Sequence, residues 1–299
     1  MTRPFRFGVN LLALESGEAW REKCRRAERL GYDVLMVPDH LGMPAPFPAL
    51  VAAAEVTKRP RLGTFVLNLG FWNPTLLARE VATCDALTGG RLELGLGTGY
   101  VKAEHDGAGL PFGSPKERVD HLEHTVGELA RLFGDPEQQP RPAQTPRPPL
   151  LLGGNGNRLL RLAARHADIA AFTGAAQAPG QPPGTMHLIS PEALEERVAA
   201  YRGFAADAGR PADGAELNYL VQVVADSGDR RATARELGRY GPELSEDALL
   251  AHPALLLGRP QEMAEQLRAH RERFGLSYFT VLEPNMEVFA PVIQELHGS

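Results

Sequence analysis

The sequence predicts an α/β fold, a (β/α)8 or TIM barrel with insertion loops, on three observations. Short apolar runs alternate with amphipathic helical stretches, the pattern of parallel strands joined by helical crossovers. Eight such runs can be placed, the number that closes a barrel. No fixed-period repeat of about 20–50 residues runs through the alternation, which sets aside solenoids. A doubly wound open sheet is the alternative, because parallel strands and short loops serve both architectures.

The strands and helices follow in order. Residues 5–11, FRFGVNL, form the first strand. Residues 16–30 carry Ala19, Trp20, Cys24, Ala27 and Leu30 at helical spacing and stop at Gly31. DVLMVP, ending at Pro38, is the second strand and LGTFVLNL, 62–69, the third. The next helix has Pro74 in its first turn and ends at a Gly-Gly pair. RLELGLG, 91–97, is the fourth strand, followed by a glycine-rich loop. A longer helix over about 115–133 carries Val119, Leu122, Val126, Leu129 and Leu132. The prolines of 134–149 forbid a helix and leave an extended connection. LLLGGNG, 150–156, is the fifth strand with a glycine-rich end, and DIAAFTG, 168–174, the sixth. Residues 174–190 read as a long flexible loop. A helix at 191–208, a strand at 216–225, helices at 229–240 and 260–274, a last strand at 276–282 and a helix near 287–297 complete the chain.

With 43% hydrophobic and 23% charged residues among 299, the whole of 1–299 can bury a core as one domain. A net charge of −5 without blocks of like charge argues against nucleic acid as a partner. No apolar run nears the roughly 18 residues of a membrane span, and the first residues pass straight into a strand pattern. A cytoplasmic protein acting on a small molecule is expected. Cys24 and Cys84 lie on apolar helix stripes and read as small buried hydrophobes. His121 and His124 fall off the apolar stripe of their helix, so they are expected to face solvent, and no metal site is expected.

In a barrel of this kind the strand ends converge on one face, which carries the active site. The polar residues there are Asn10, Asp39, His40, Asn68, the loop 97–100 with Thr98 and Gly99, the turn Gly153-Gly154-Asn155-Gly156, and Thr173. His40 is the histidine placed at a strand end, and its ordinary pKa near neutrality lets it give or take a proton. Asp39 would orient it or hydrogen-bond a cofactor; a simple turn pair is the alternative. The 153–156 turn opens a helix, so glycine backbone and free N–H groups could hold a phosphate, with a plain tight turn as the alternative. Gly95, Gly97 and Gly99 lack the spacing of a dinucleotide fingerprint, and no nucleophile elbow or Walker loop occurs. Phe47, Phe71, Trp72 and Tyr100 suggest an apolar, aromatic substrate pocket, for which Asn10 is a polar candidate.

Residues 77–100, LAREVATCDALTGGRLELGLGTGY, and 109–132, GLPFGSPKERVDHLEHTVGELARL, closely resemble the signature region of the bacterial luciferase-like flavin and deazaflavin oxidoreductases. PDHLG after the second strand, 148–172 and 258–281 fit as well, so the resemblance covers nearly the whole chain. It implies a barrel with an insertion, assembled as a homodimer, and is strongest to the branch using the deazaflavin coenzyme F420. On that resemblance Asp39 contacts the ring system and His40 is the acid/base. A bulge with a cis peptide at Phe65–Val66 backs the ring. Asn68, Thr98 and Gly99 line the ring and ribityl chain, while Gly153, Gly154, Asn155, Gly156 and Thr173 hold the phosphate. The sugar-phosphate dehydrogenases of this branch carry an acidic residue at the position of Tyr100 and a tryptophan at that of Pro44, so glucose 6-phosphate is disfavoured as substrate. Alternatives are an FMN-dependent monooxygenase served by a separate reductase, and a non-catalytic flavin-binding protein.

Overall fold

A computed structural model describes residues 3–178, 180 and 185–297. In chain order the elements are β1 (Arg6–Asn10), α1 (Gly17–Arg29), β2 (Val34–Val37), α2 (Pro46–Ala54), β3 (Arg61–Thr64), β4 (Leu67–Asn68), α3 (Pro74–Leu87) and β5 (Leu92–Gly97). Then come α4 (Lys102–Ala108), α5 (Pro115–Gly134), β6 (Leu150–Gly153), α6 (Asn157–His166), β7 (Ile169–Phe172), β8 (Ala175–Gln177), β9 (Met186–Leu188) and α7 (Pro191–Asp207). The chain continues with β10 (Glu216–Val221), β11 (Val223–Ala225), α8 (Arg230–Leu237), α9 (Glu246–Leu250), β12 (Leu255–Leu257), α10 (Pro260–Phe274), β13 (Tyr278–Leu282) and α11 (Met286–His297).

The main sheet runs β3-β2-β1-β13-β10-β7-β6-β5-β4, every pair parallel, and β3 also pairs with β5, so the sheet closes. β3 and β4 are two halves of one barrel strand. Leu62 and Gly63 pair with Leu92 and Glu93, and Leu67 and Asn68 with Leu96 and Gly97. The two residues between the halves, Phe65 and Val66, are joined by a cis peptide. Counted this way, the eight expected strands form the eight-stranded barrel.

The bulge fits because β5 is built from glycine where it passes. A Cβ at Gly95 would lie 2.0 Å from the Thr64 carbonyl oxygen, and one at Gly97 would lie 2.5 Å from Val66 Cγ2. The Thr64 hydroxyl donates to the Gly95 carbonyl at 2.8 Å and accepts from the Gly95 N–H at 2.8 Å. The G-x-G spacing of this strand is thus a steric requirement of its neighbour.

Two apolar clusters divide the core. The larger lies between barrel and helices, and a small one fills the barrel with Val34, Met36, Leu151, Ile169, Ala171 and Tyr278, against which Phe65 and Val66 pack. Cys24 and Cys84 are buried, and burial pushes both thiols up to about 12. No described helix is long and apolar enough to cross a membrane. At the N-terminal end of the barrel, Glu93 pairs with Arg6 and Arg61, and Arg6 also pairs with Glu216. Arg61 donates to Gln144, whose N–H groups reach Asp85 at 2.8 Å, so the proline-rich connection is tied beneath the barrel.

Several segments differ from expectation. Residues 46–54 form a helix despite Pro46 and Pro48, because both fall in its first turn, where backbone N–H groups have no helical partner. Within 174–190, β8 and β9 pair as an antiparallel hairpin; residues 179 and 181–184 of that expected loop lie outside the described residues. The strand expected at 216–225 divides at Gln222, and β11 leaves the barrel to pair with β12. His121 is not solvent-facing. It is half-buried and its Nε2–H donates to the carbonyls of Leu69 and Trp72, at 2.9 and 3.3 Å.

Two buried histidines pack outside the barrel. His252 donates from Nε2 to the Ile189 carbonyl at 2.8 Å and accepts the Ala254 N–H at Nδ1, so it is neutral here. Burial lowers His252 to about 4 and His270 to about 3. The unfolded chain therefore takes up protons first as pH falls below about 6.5, and stability drops from there toward pH 4. Melting temperature should decline steadily over that window by the equivalent of several kcal/mol. His270→Phe should flatten the decline; a profile flat from pH 7 to 4.5 in the wild type contradicts the assignment. Gly95→Ala should cost roughly 3 kcal/mol or more in denaturant unfolding, since backbone must move to admit the methyl group. A loss under about 0.5 kcal/mol would show the bulge to be loosely seated.

Candidate active site

Asp39 and His40 follow β2 directly, and both are partly buried at the C-terminal rim of the barrel. Asp39 Oδ2 accepts from Trp72 Nε1 at 2.8 Å and from the Asn68 N–H at 3.2 Å. Burial pushes its carboxyl above the ordinary value, against the downward pull of those two donors. No hydrogen bond joins Asp39 to His40. The imidazole is held instead by Glu104 of α4, with Nδ1 2.7 Å from Glu104 Oε1. Glu104 Oε2 is buried and has no partner. The Tyr100 ring meets the imidazole edge-on at 5.9 Å, and Leu41, Met43 and Tyr100 are exposed beside it.

Asn68 and His105 hold this side of the rim together. His105, fully buried, donates from Nδ1 to the Pro111 carbonyl, which leaves Nε2 to accept from Asn68 Nδ2 at 3.1 Å. That fixes the Asn68 amide, and its Oδ1 accepts the Gly70 N–H. Glycine is required at two neighbours: a Cβ would lie 2.2 Å from His105 at Gly70 and 2.1 Å from Asn68 at Gly99, where φ is +68°. Asn10, buried beneath the rim, donates to the Phe65 carbonyl at 3.4 Å and keeps an unpartnered Oδ1. Thr98 is half-buried at the end of β5. Phe47 is only 5% exposed and meets Trp72 edge-on at 5.5 Å, so it backs Trp72 from the core instead of facing open space.

The second group stands at the ends of β6 and β7. α6 begins at Gly156 with no side-chain cap, unlike α1, α3, α5 and α7, whose first N–H groups are met by Ser or Asn. Nothing lies within 4 Å of a Cβ placed on Gly156, while Gly154 has φ +145° and packs against Leu159. Asn155 donates to Thr173 Oγ1 and to the Ala175 carbonyl, and its Oδ1 is buried without a partner. Arg158 is occupied by Asp120 and Glu123. An anion here meets uncapped backbone N–H groups.

Glu104 and His105 escaped the sequence reading. The sequence offers Asp39 as the group that orients His40, whereas the chain turns after Tyr100 into the short helix α4, which presents the Glu104 carboxylate to the ring. An acidic residue four positions past Tyr100 in VKAEHDGA was the available signal.

A family profile described as luciferase-like monooxygenase matches residues 3–278. The chain belongs to the luciferase-like monooxygenase family. Among curated relatives, an uncharacterised protein of Mycobacterium tuberculosis is 28% identical over 174 residues, and the match covers 47% of this chain and 60% of that protein. The F420-dependent glucose-6-phosphate dehydrogenase of Nakamurella multipartita is 29% identical over 264 residues, 81% of this chain and 74% of its own. The FMNH2-dependent dimethylsulfone monooxygenase of Pseudomonas putida is 26% identical over 290 residues, 83% and 77% of the two chains. The F420-dependent tetrahydromethanopterin reductase of Methanopyrus kandleri shares the fold, with a TM-score of 0.76 at 18% identity over 99% of both chains. The family's members include oxidoreductases and monooxygenases of both cofactor classes.

The Trp72 bond gives the first test of this rim. Trp72→Phe removes a donor that favours the Asp39 carboxylate, so the Asp39 pKa should rise further, which carboxyl NMR titration would measure. An unchanged or lowered value would mean that this bond does not act on Asp39.

Proposed function

We propose that this luciferase-like protein is an F420-dependent oxidoreductase that transfers a hydride between the deazaflavin and a small, hydrophobic organic substrate, with His40 as acid/base. The His40–Glu104 pair carries this reading: a rim imidazole with one nitrogen held by a carboxylate and the other without a partner among the described residues. The exposed Leu41, Met43 and Tyr100 beside it suit an apolar substrate.

The residues present fit a phosphate-bearing flavin-type cofactor. The uncapped start of α6 and the glycines 153, 154 and 156 suit its phosphate, with Asn155 and Thr173 alongside. The orphaned acceptors Asn155 Oδ1 and Asn10 Oδ1 each need an O–H or N–H donor, which a ribityl chain and a ring provide. Phe65 and Val66 would back the ring, and Asp39, Asn68, Thr98 and Gly99 would line its edge. When bound, a deazaflavin supplies hydride chemistry at carbon. His40 then moves the accompanying proton from Nε2, giving it to a substrate being reduced or taking it from an alcohol being oxidised. Glu104 holds Nδ1, which keeps the ring oriented with Nε2 free to act.

The comparable similarity to an FMNH2-dependent monooxygenase favours FMN as the second reading. Titrating the protein with each cofactor, followed by cofactor fluorescence, separates the two: micromolar F420 binding with weak FMN binding is expected, and the reverse overturns the proposal. His40→Ala should lower turnover by about 10²- to 10⁴-fold with F420 affinity kept. Glu104→Gln should lower it up to about a hundredfold, by loosening the ring. Unchanged turnover in His40→Ala would remove His40 from the acid/base role, and wild-type protein that binds the cofactor without turnover would support a binding protein.

A further inference from the structure

At the N-terminal end of the barrel, away from the rim, a cavity of about 380 Å³ opens where β10 and β13 begin. Three guanidinium groups from three separate parts of the chain line it: Arg3 ahead of β1, Arg202 of α7 and Arg271 of α10. One carboxylate, Asp213, lines it with them.

Each arginine is held in place by neutral groups. Arg3 donates to the carbonyls of Asp213 and Gly214 at 2.8 and 2.9 Å. Arg202 donates to the Phe274 carbonyl at 2.9 Å and lies against Gly275, where a Cβ would come within 2.3 Å of its terminal nitrogen. Arg271 stacks over Phe5 at 4.0 Å, and its Nε is buried without a hydrogen-bond partner. Among the described residues, none of the three forms an ion pair.

Arg91, Arg118 and Arg210 also donate only to neutral groups, so what marks this place is the meeting of three such arginines on one cavity. The chain has 37 acidic and 32 basic residues, and Arg6, Arg26, Arg61, Arg147, Arg158, Arg231 and Arg273 each have a carboxylate partner. Where acid is in surplus, three guanidinium groups around one small cavity repel one another across a partly desolvated space unless an anion joins them. The fork of donors on each group matches phosphate and carboxylate oxygens. The volume admits a small metabolite as well as a bare ion.

We propose that this cavity binds a multiply charged oxyanion, the phosphate group of a phosphate ester or a polycarboxylate. It is distinct from the α6 site, which lies at the opposite ends of the strands and uses backbone N–H groups.

The test uses the full chain, with calorimetric titration and thermal melting in inorganic phosphate, in citrate, and in chloride of matched ionic strength. Wild-type protein should bind phosphate, citrate or both, and melt higher than in chloride. Phosphate alone would assign a phosphate-bearing ligand, citrate alone a polycarboxylate. Arg202→Gln and Arg271→Gln should each weaken that binding at least about tenfold. Phosphate held at the α6 start is untouched by either change, so the component both variants lose reports the arginine cavity. Ligand-free Arg271→Gln should also melt at or above the wild type at low salt, because one repelling charge is gone. Identical phosphate and citrate responses in the wild type and both variants, or a chloride response equal to the others, would overturn the proposal.

Discussion

The rest of the molecule depends on one close contact, that of the Phe65–Val66 bulge against the glycines of β5. Only because Gly95 and Gly97 carry no side chain can β3 and β4 share β5 as a partner on either side of the bulge. That double pairing closes the barrel. It also sets the level at which the second half-strand emerges, and so the level of Asn68. From Asn68 the backbone reaches Asp39, while the side chain reaches His105 and the β5–α4 loop. A packing constraint inside the barrel thus becomes a positional constraint on its rim.

The two ends of the barrel use charge differently. At the lower end, Arg6, Arg61, Glu93 and Glu216 form a closed ionic network, to which the proline-rich connection is tied through Gln144. Its neighbours Arg3, Arg202 and Arg271 form no ion pair among the described residues, although Arg3 lies near enough to Glu216 to favour its carboxylate. At the upper end, charge is sparse and paired for use: one carboxylate on Trp72 and a backbone N–H, another on the His40 ring. Apolar side chains surround the latter pair. An imidazole whose second nitrogen stays open at such a mouth is suited to moving one proton beside a substrate.

Most of the barrel was legible in the sequence. Eight apolar runs and the helices between them report burial on both faces of a parallel sheet, a signal that survives without neighbours. The strand-end residues Asp39 and His40 and the glycine turn of 153–156 were legible for the same reason, since position along the strand decides what reaches the rim. The helix at 46–54 was hidden by Pro46 and Pro48, which mark breaks everywhere except in a first turn. The hairpin of β8 and β9 and the small sheet of β11 and β12 lie outside the repeating pattern and take their form from tertiary contact. Glu104 was hidden because its partner lies 64 positions away in sequence, across two barrel strands and the helices α2 and α3. Pairings at that distance leave no local trace, and the expectation that Asp39 orients His40 gave way to a bond from another element.

The central claim is that the bulge and the uncapped start of α6 together hold one deazaflavin, with its reactive face beside His40. A crystal structure of the protein grown with F420 tests it most directly. The account predicts the cofactor phosphate on the N–H groups following Gly156, the ring against Phe65 and Val66, and His40 Nε2 facing the space above the ring. A deazaflavin bound elsewhere, or a ring in this position with His40 turned away from it, would contradict the account.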